Sequence, residues 1–129
     1  MRKEPIKIGV ILPLSGGDEL FGSQGVQGAK MAVAEINAAG GVLGGRHFEL
    51  VIEDEKTDLM TAIRETEKVI LKDKVTTVMG PTSSAHHNAM LEVVTRLKTP
   101  FLYGTDYEGG ALSTGLDWSA GHLSASGLC

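Results

Sequence analysis

Cysteine occurs once in the 129 residues, as Cys129 at the last position. No disulfide can form within the chain, and cysteine usage marks no redox compartment. Aromatic residues make up only 5%, and the 12 lysines and arginines are outnumbered by 16 aspartates and glutamates, for a net charge of −4. A basic stripe with interleaved aromatics is missing, so nucleic acid is not an expected partner. No apolar run approaches the roughly 18 residues that a membrane-spanning helix needs. The opening "MRKEPIKIGVILPLSGG" imitates a signal peptide, with two basic residues before an apolar run. Glu4, Pro5 and Lys7 interrupt it, and residues 8–14 are too short for a signal core. The run reads better as a buried strand, and an exported form would have lost its signal.

What is present is ordinary for a globular chain: 42% hydrophobic and 22% charged residues, at a length that favours one domain with a core of its own. Residues 6–12 are apolar and β-branched and stop at Pro13, which suits a strand buried on both faces. A helix is expected over residues 23–38, with Val26, Ala29, Val33 and Ile36 on one face. Gly40 suits its C-cap and "GGVLGG" a turn. A strand follows at 48–53, then a polar loop with Thr57 or Asp58 as N-cap. The second helix spans 59–72, with Ala62, Thr66, Val69 and Ile70 inward. A strand at 75–79, a helix at 85–96 and a short strand at 100–103 complete the pattern. Alternation of this kind predicts an α/β fold, a three-layer αβα open parallel sheet of about four strands joined by right-handed crossovers. Ligands on such sheets bind beyond the carboxyl ends of the strands. Those ends lead into "PLSGG", "EDEKTD", "GPTSS" and "GTDYEGG".

"GPTSSAHH" is the most suggestive stretch. Ser83 and Ser84 fall between a strand end and a helix start, where hydroxyls and unsatisfied N–H groups suit a carboxylate or amide oxygen. One of the two serines is also needed as the N-cap, and both roles can hold together. A serine hydrolase using Ser83 or Ser84 with His86 is the weaker reading. His86 and His87 are neighbours on a helix and point about 100° apart, the G-x-S-x-G elbow is missing, and no third group is evident to orient the base. Metal binding lacks the i, i+4 ligand spacing, so no metal or cofactor is expected and both histidines are read as solvated. "GGVLGG" follows a helix and precedes a strand, the reverse of a dinucleotide fingerprint, and "SGG" at 15–17 lacks a P-loop's lysine and spacing. "EDE" at 53–55 suggests a receiver-type acidic pocket, but Gly80 and Pro81 stand where that pocket wants an aspartate. These carboxylates are read as a solvated loop.

Several stretches resemble the amino-terminal lobe of type I periplasmic binding proteins, a flavodoxin-like lobe. They are "IKIGVILPLSG", "FGSQGVQGAKMAVAEINAAGGVLGGRHFELVIED", "VMGPTSSAHHNAM" and "LYGTDYEGG". The nearest branch serves ABC transporters for branched-chain amino acids, amides and urea, and the last stretch looks most like the amide- and urea-binding members. The resemblance implies a non-catalytic solute-binding lobe without cofactor, whose parent works with an ABC permease and resides in the periplasm or on an extracellular lipid anchor. It implies ligand contacts from Ser84, with Ser83 beside it, from Tyr103, Gly104 and Thr105, and from Phe21, where many relatives carry tyrosine. A cytoplasmic amide- or amino-acid-sensing regulator is the alternative.

The resemblance is read as covering residues 7–110. Residues 1–110 are therefore expected to form the lobe, and residues 111–129 a non-family tail. Fourteen of those nineteen residues are Ala, Gly, Leu or Ser, and without a period of 2 or 3.6 they are expected to be partly disordered. Such a chain reads as a truncated lobe. An uncovered strand edge or apolar surface on it would be expected to favour a homodimer.

Overall fold

The computed structural model describes residues 4–102. The elements run β1 (Ile6–Leu12), α1 (Glu19–Ala38), β2 (Phe48–Asp54), α2 (Leu59–Leu71), β3 (Thr77–Met79), α3 (Ser84–Arg96) and β4 (Phe101–Leu102). They form a four-stranded sheet in the order β2-β1-β3-β4, parallel throughout. The expected αβα architecture is thus the one observed. β1 is the hub. It pairs along its whole length with β2, from Ile6 opposite Phe48 to Leu12 opposite Asp54. On its other edge Ile8 to Val10 pair with β3.

Alternation along β1 sends its side chains to two different cores. Ile11 joins Ala62, Val69, Val78, Met90, Val94 and Phe101 beneath α2 and α3. Val10 and Leu12 join Val26 beneath α1. The first core is closed: Val69, Val78, Met90, Val94 and Phe101 are wholly buried. The second is thinner. Ile8, Leu50, Ile52 and Met79 are only partly buried around it, and Leu20, Phe21 and Met31 of α1 are exposed. Of the α1 face expected to point inward, Val26 is buried, Ala29 and Val33 are half-buried, and Ile36 is exposed.

The helix ends follow their local chemistry. Asp58 caps α2, accepting from the Thr61 N–H at 2.8 Å. At the end of α1, Gly40 takes φ +106°. Gly41 N–H donates to Ile36 at 2.9 Å and Gly40 N–H to Asn37 at 3.1 Å, the paired bonds of a Schellman ending. Glycine also explains why α1 starts at Glu19, ahead of residue 23. A Cβ at Gly22 would lie 1.7 Å from the Pro13 carbonyl oxygen, so only glycine lets the first turn of α1 press against the end of β1. β3 begins at Thr77, after residue 75, because the Val75 N–H is taken by Val69 and that of Thr76 by Lys7.

Two alanine substitutions on α1 are expected to act in opposite directions. Gly22→Ala meets the Pro13 backbone and should cost about 2–3 kcal/mol. At Gly28 a Cβ would meet nothing within 4 Å, so Gly28→Ala should add roughly 0.5–1 kcal/mol through helix propensity. Urea unfolding followed by circular dichroism measures both.

Candidate functional site

The chain leaves β1 toward β2 on one side and later returns to β3 on the other. The strand order therefore reverses between β1 and β3, and the crevice of a doubly wound sheet opens there, beyond the carboxyl ends of the strands. Three loops border it: residues 13–18 after β1, residues 55–58 after β2, and residues 80–83 after β3.

Hydrogen bonds lace the first two loops together. The Asp54 carboxylate accepts from the Leu14 N–H and the Ser15 hydroxyl, both at 2.7 Å, and from the Lys56 N–H at 2.8 Å. Burial works against its charged form, but the Ser15 hydroxyl and these backbone donors outweigh it and hold the carboxyl below the usual range. The Thr57 hydroxyl donates to the Ser15 carbonyl at 2.9 Å and accepts from the Asp18 N–H at 3.2 Å. Gly16, at φ +86°, lies where a Cβ would be 2.7 Å from that hydroxyl.

The third loop is tied in by a carboxylate–imidazole pair. His86 Nδ1 stands 2.8 Å from Glu55 Oε2, with the side chains 12% and 1% exposed. With Glu55 ionised, Nδ1 carries the proton and donates. Burial pushes the Glu55 carboxyl up, more than the His86 hydrogen bond and charge draw it down, and Asp18 and Asp54 add to the upward push. Its other oxygen, Oε1, is buried without a hydrogen-bond partner. His87 points elsewhere. It is 1% exposed, and its ring stacks on Phe101 with centroids 4.8 Å apart and planes 17° from parallel.

Two sequence readings are corrected here. Glu55 is not part of a solvated acidic loop but a fully buried residue. Its backbone is pinned at the end of β1 by the Glu55 N–H to Leu12 bond of 3.1 Å. His86 and His87 are not solvated either, because the first turn of α3 packs one against Glu55 and the other over β4. Their divergence along the helix is as expected.

The sequence-derived site residues separate. Ser83 stands at the N-cap of α3 in extended conformation, φ −108° and ψ 136°, yet its side chain makes no capping bond. The helix does not consume that hydroxyl. Ser84 is the first residue of α3. Both lie at the end of the third loop, next to the crevice. Gly80 brings that loop close to β1: it takes φ +120°, and a Cβ there would be 1.9 Å from the Ile11 carbonyl oxygen. Phe21 is 61% exposed on the first turn of α1. Tyr103, Gly104 and Thr105, like the tail at 111–129, lie outside the described residues. Sequence reasoning missed Asp54, Thr57 and the Glu55–His86 pair as parts of the rim. Their one signal was position, since a polar loop after a strand's carboxyl end faces this crevice.

A doubly wound parallel lobe with its polar loops gathered at the switch point defines a class of ligand-binding α/β proteins. The comparisons then give the family. A family described as periplasmic binding protein matches residues 5–122, a stretch that runs past Gly110, and the chain belongs to that family. The Leu/Ile/Val-binding protein of Escherichia coli K12 is 31% identical over 131 residues, covering 95% of this chain and 35% of that protein. The branched-chain amino acid transporter substrate binding protein LivJ of Streptococcus pneumoniae, solved with isoleucine, superposes with a TM-score of 0.84 at 32% identity, over 89% of this chain and 32% of that one. The leucine binding protein LivK of Thermotoga maritima gives a TM-score of 0.77 at 28% identity, over 84% and 30% of the two chains. This chain spans about a third of the length of these relatives.

Burial lowers the pKa of His87 from 6.5 to about 4. Between those values the unfolded chain holds a proton that the folded one lacks, so stability rises with pH. The contribution is complete above 6.5 and is lost as pH falls toward 4, a total of about 3 kcal/mol. His87→Leu is expected to flatten this limb of the stability curve, as read from thermal midpoints between pH 7 and pH 4.

Proposed function

We propose that the described residues form one half of a solute site in an ABC-transporter substrate-binding protein, and that the solute is a small carboxylate-bearing aliphatic amino acid. The observation that carries this reading is the start of α3. There Ser83, whose hydroxyl makes no capping bond, and Ser84 stand at the first turn of a helix at the sheet's switch point. First-turn N–H groups and the positive end of the helix dipole favour an anionic oxygen. The named ligands of the relatives, leucine, isoleucine and valine, carry such a group. Phe21 would line the crevice, and Tyr103, Gly104 and Thr105 would supply the contact from the loop after β4. The site works by binding. What supports this is the family itself, one of periplasmic binding proteins. The parent would act in the periplasm with a membrane permease.

Calorimetric titration with L-isoleucine, L-leucine, acetamide and urea tests the reading. The branched-chain amino acids are expected to bind and the uncharged amides not. Ser84→Ala should weaken isoleucine binding by about tenfold, the worth of a hydrogen bond to a charged group. Preference for urea or acetamide would instead assign the site to an amide carrier.

A further inference from the structure

Glu55 and His86 have no part in the proposed contacts, yet they form the single described side-chain hydrogen bond between the second loop and α3. Glu55 is an expensive residue to place there. It is wholly buried, and its Oε1 has no partner, which disfavours the fold relative to an apolar side chain of the same size. A position chosen for stability alone would not hold a carboxylate. The placement of its partner explains it. His86 is the third residue of α3, and the His87 N–H to Ser83 carbonyl bond of 2.9 Å that closes the first helical turn passes directly around it. Glu55 is itself anchored, its N–H on Leu12 and its carbonyl accepting from Asp58 at 3.0 Å. The connection runs from the end of β1 through Glu55 and His86 to the turn that carries Ser83 and Ser84.

We propose that Glu55, acting through His86, is a positioning residue for the solute site: the buried carboxylate–imidazole bond fixes the first turn of α3, and with it Ser83 and Ser84, against the end of the central strand. The solute role of those serines rests on the reading above, whereas the fixing of the turn does not.

Glu55→Met is nearly isosteric and removes both the acceptor and the unpartnered oxygen. Glu55→Gln keeps a carbonyl that can accept from Nδ1. Hydrogen exchange compares the His87 amide, at the start of α3, with the Leu97 amide, which bonds Val93 at 2.9 Å at the far end. In Glu55→Met the His87 amide should exchange about tenfold faster or more, as loss of a charge-assisted bond implies, while Leu97 and the thermal midpoint hold or improve. Glu55→Gln should restore most of the protection. Unchanged His87 exchange in Glu55→Met overturns the proposal, as does equal acceleration at both ends, or a Gln variant no better than Met. L-Isoleucine titration of the same proteins forms the second arm. Affinity should fall about tenfold in Glu55→Met and recover in Glu55→Gln. If the unsubstituted chain takes up no isoleucine, the solute reading fails for this chain, and the exchange result still decides whether Glu55 fixes the turn.

Discussion

The structure depends on one strand being paired on both edges. Among the described strands β1 alone has a full seven-residue ladder on one side and a second ladder on the other, and its side chains feed both cores. Its carboxyl end is also where the loops bordering the crevice converge. Leu12 accepts from Glu55, the Pro13 carbonyl lies against Gly22, and the Ile11 carbonyl lies against Gly80. The last two approaches need backbone without a Cβ on one side. The end of one strand thus fixes the start of α1 and the loop that leads into α3.

Around that point the rim is held by charge rather than by packing. Asp54 is stabilised as a carboxylate by donors from its own loop and the first one. Glu55 is not: burial raises it, and only His86 compensates in part. Two adjacent carboxylates therefore sit in opposite electrostatic situations, one well solvated by N–H and O–H donors, the other short of partners. The first behaves as a structural clasp, and the second carries a net cost that only its partner's position makes sense of. His87, one residue on, is kept neutral by the same first turn of α3 that brings His86 to Glu55.

The two sides of the sheet are finished unequally. Under α2 and α3 the core is closed, with Phe101 and Met90 fully buried. Under α1 alone, Ile8, Leu50, Ile52 and Met79 retain exposure. Among the described residues one helix covers that face where the opposite face has two.

Much of this could be read from residue order. The apolar β-branched run at 6–12 read as a strand buried on both faces, the alternation of strand and helix implied a parallel sheet with helices on both faces, and Thr57 or Asp58, like Gly40, announced a helix end through local chemistry. The serines at 83 and 84 were singled out for the same reason, since a strand end followed by a helix start is a local pattern. What remained hidden depends on distance along the chain. Glu55 and His86 are 31 residues apart, and nothing near either one says that it is buried. Adjacent histidines and an acidic loop look solvated until the sheet brings β2 and α3 side by side. The early start of α1 is of the same kind, because Gly22 matters only through its contact with Pro13. Residue order was enough for the elements, their succession and the general place of the crevice, because hydrophobic period and capping act within a few residues. Which polar groups lose their water was settled by folding alone, because desolvation is set by neighbours that the chain reaches from far away.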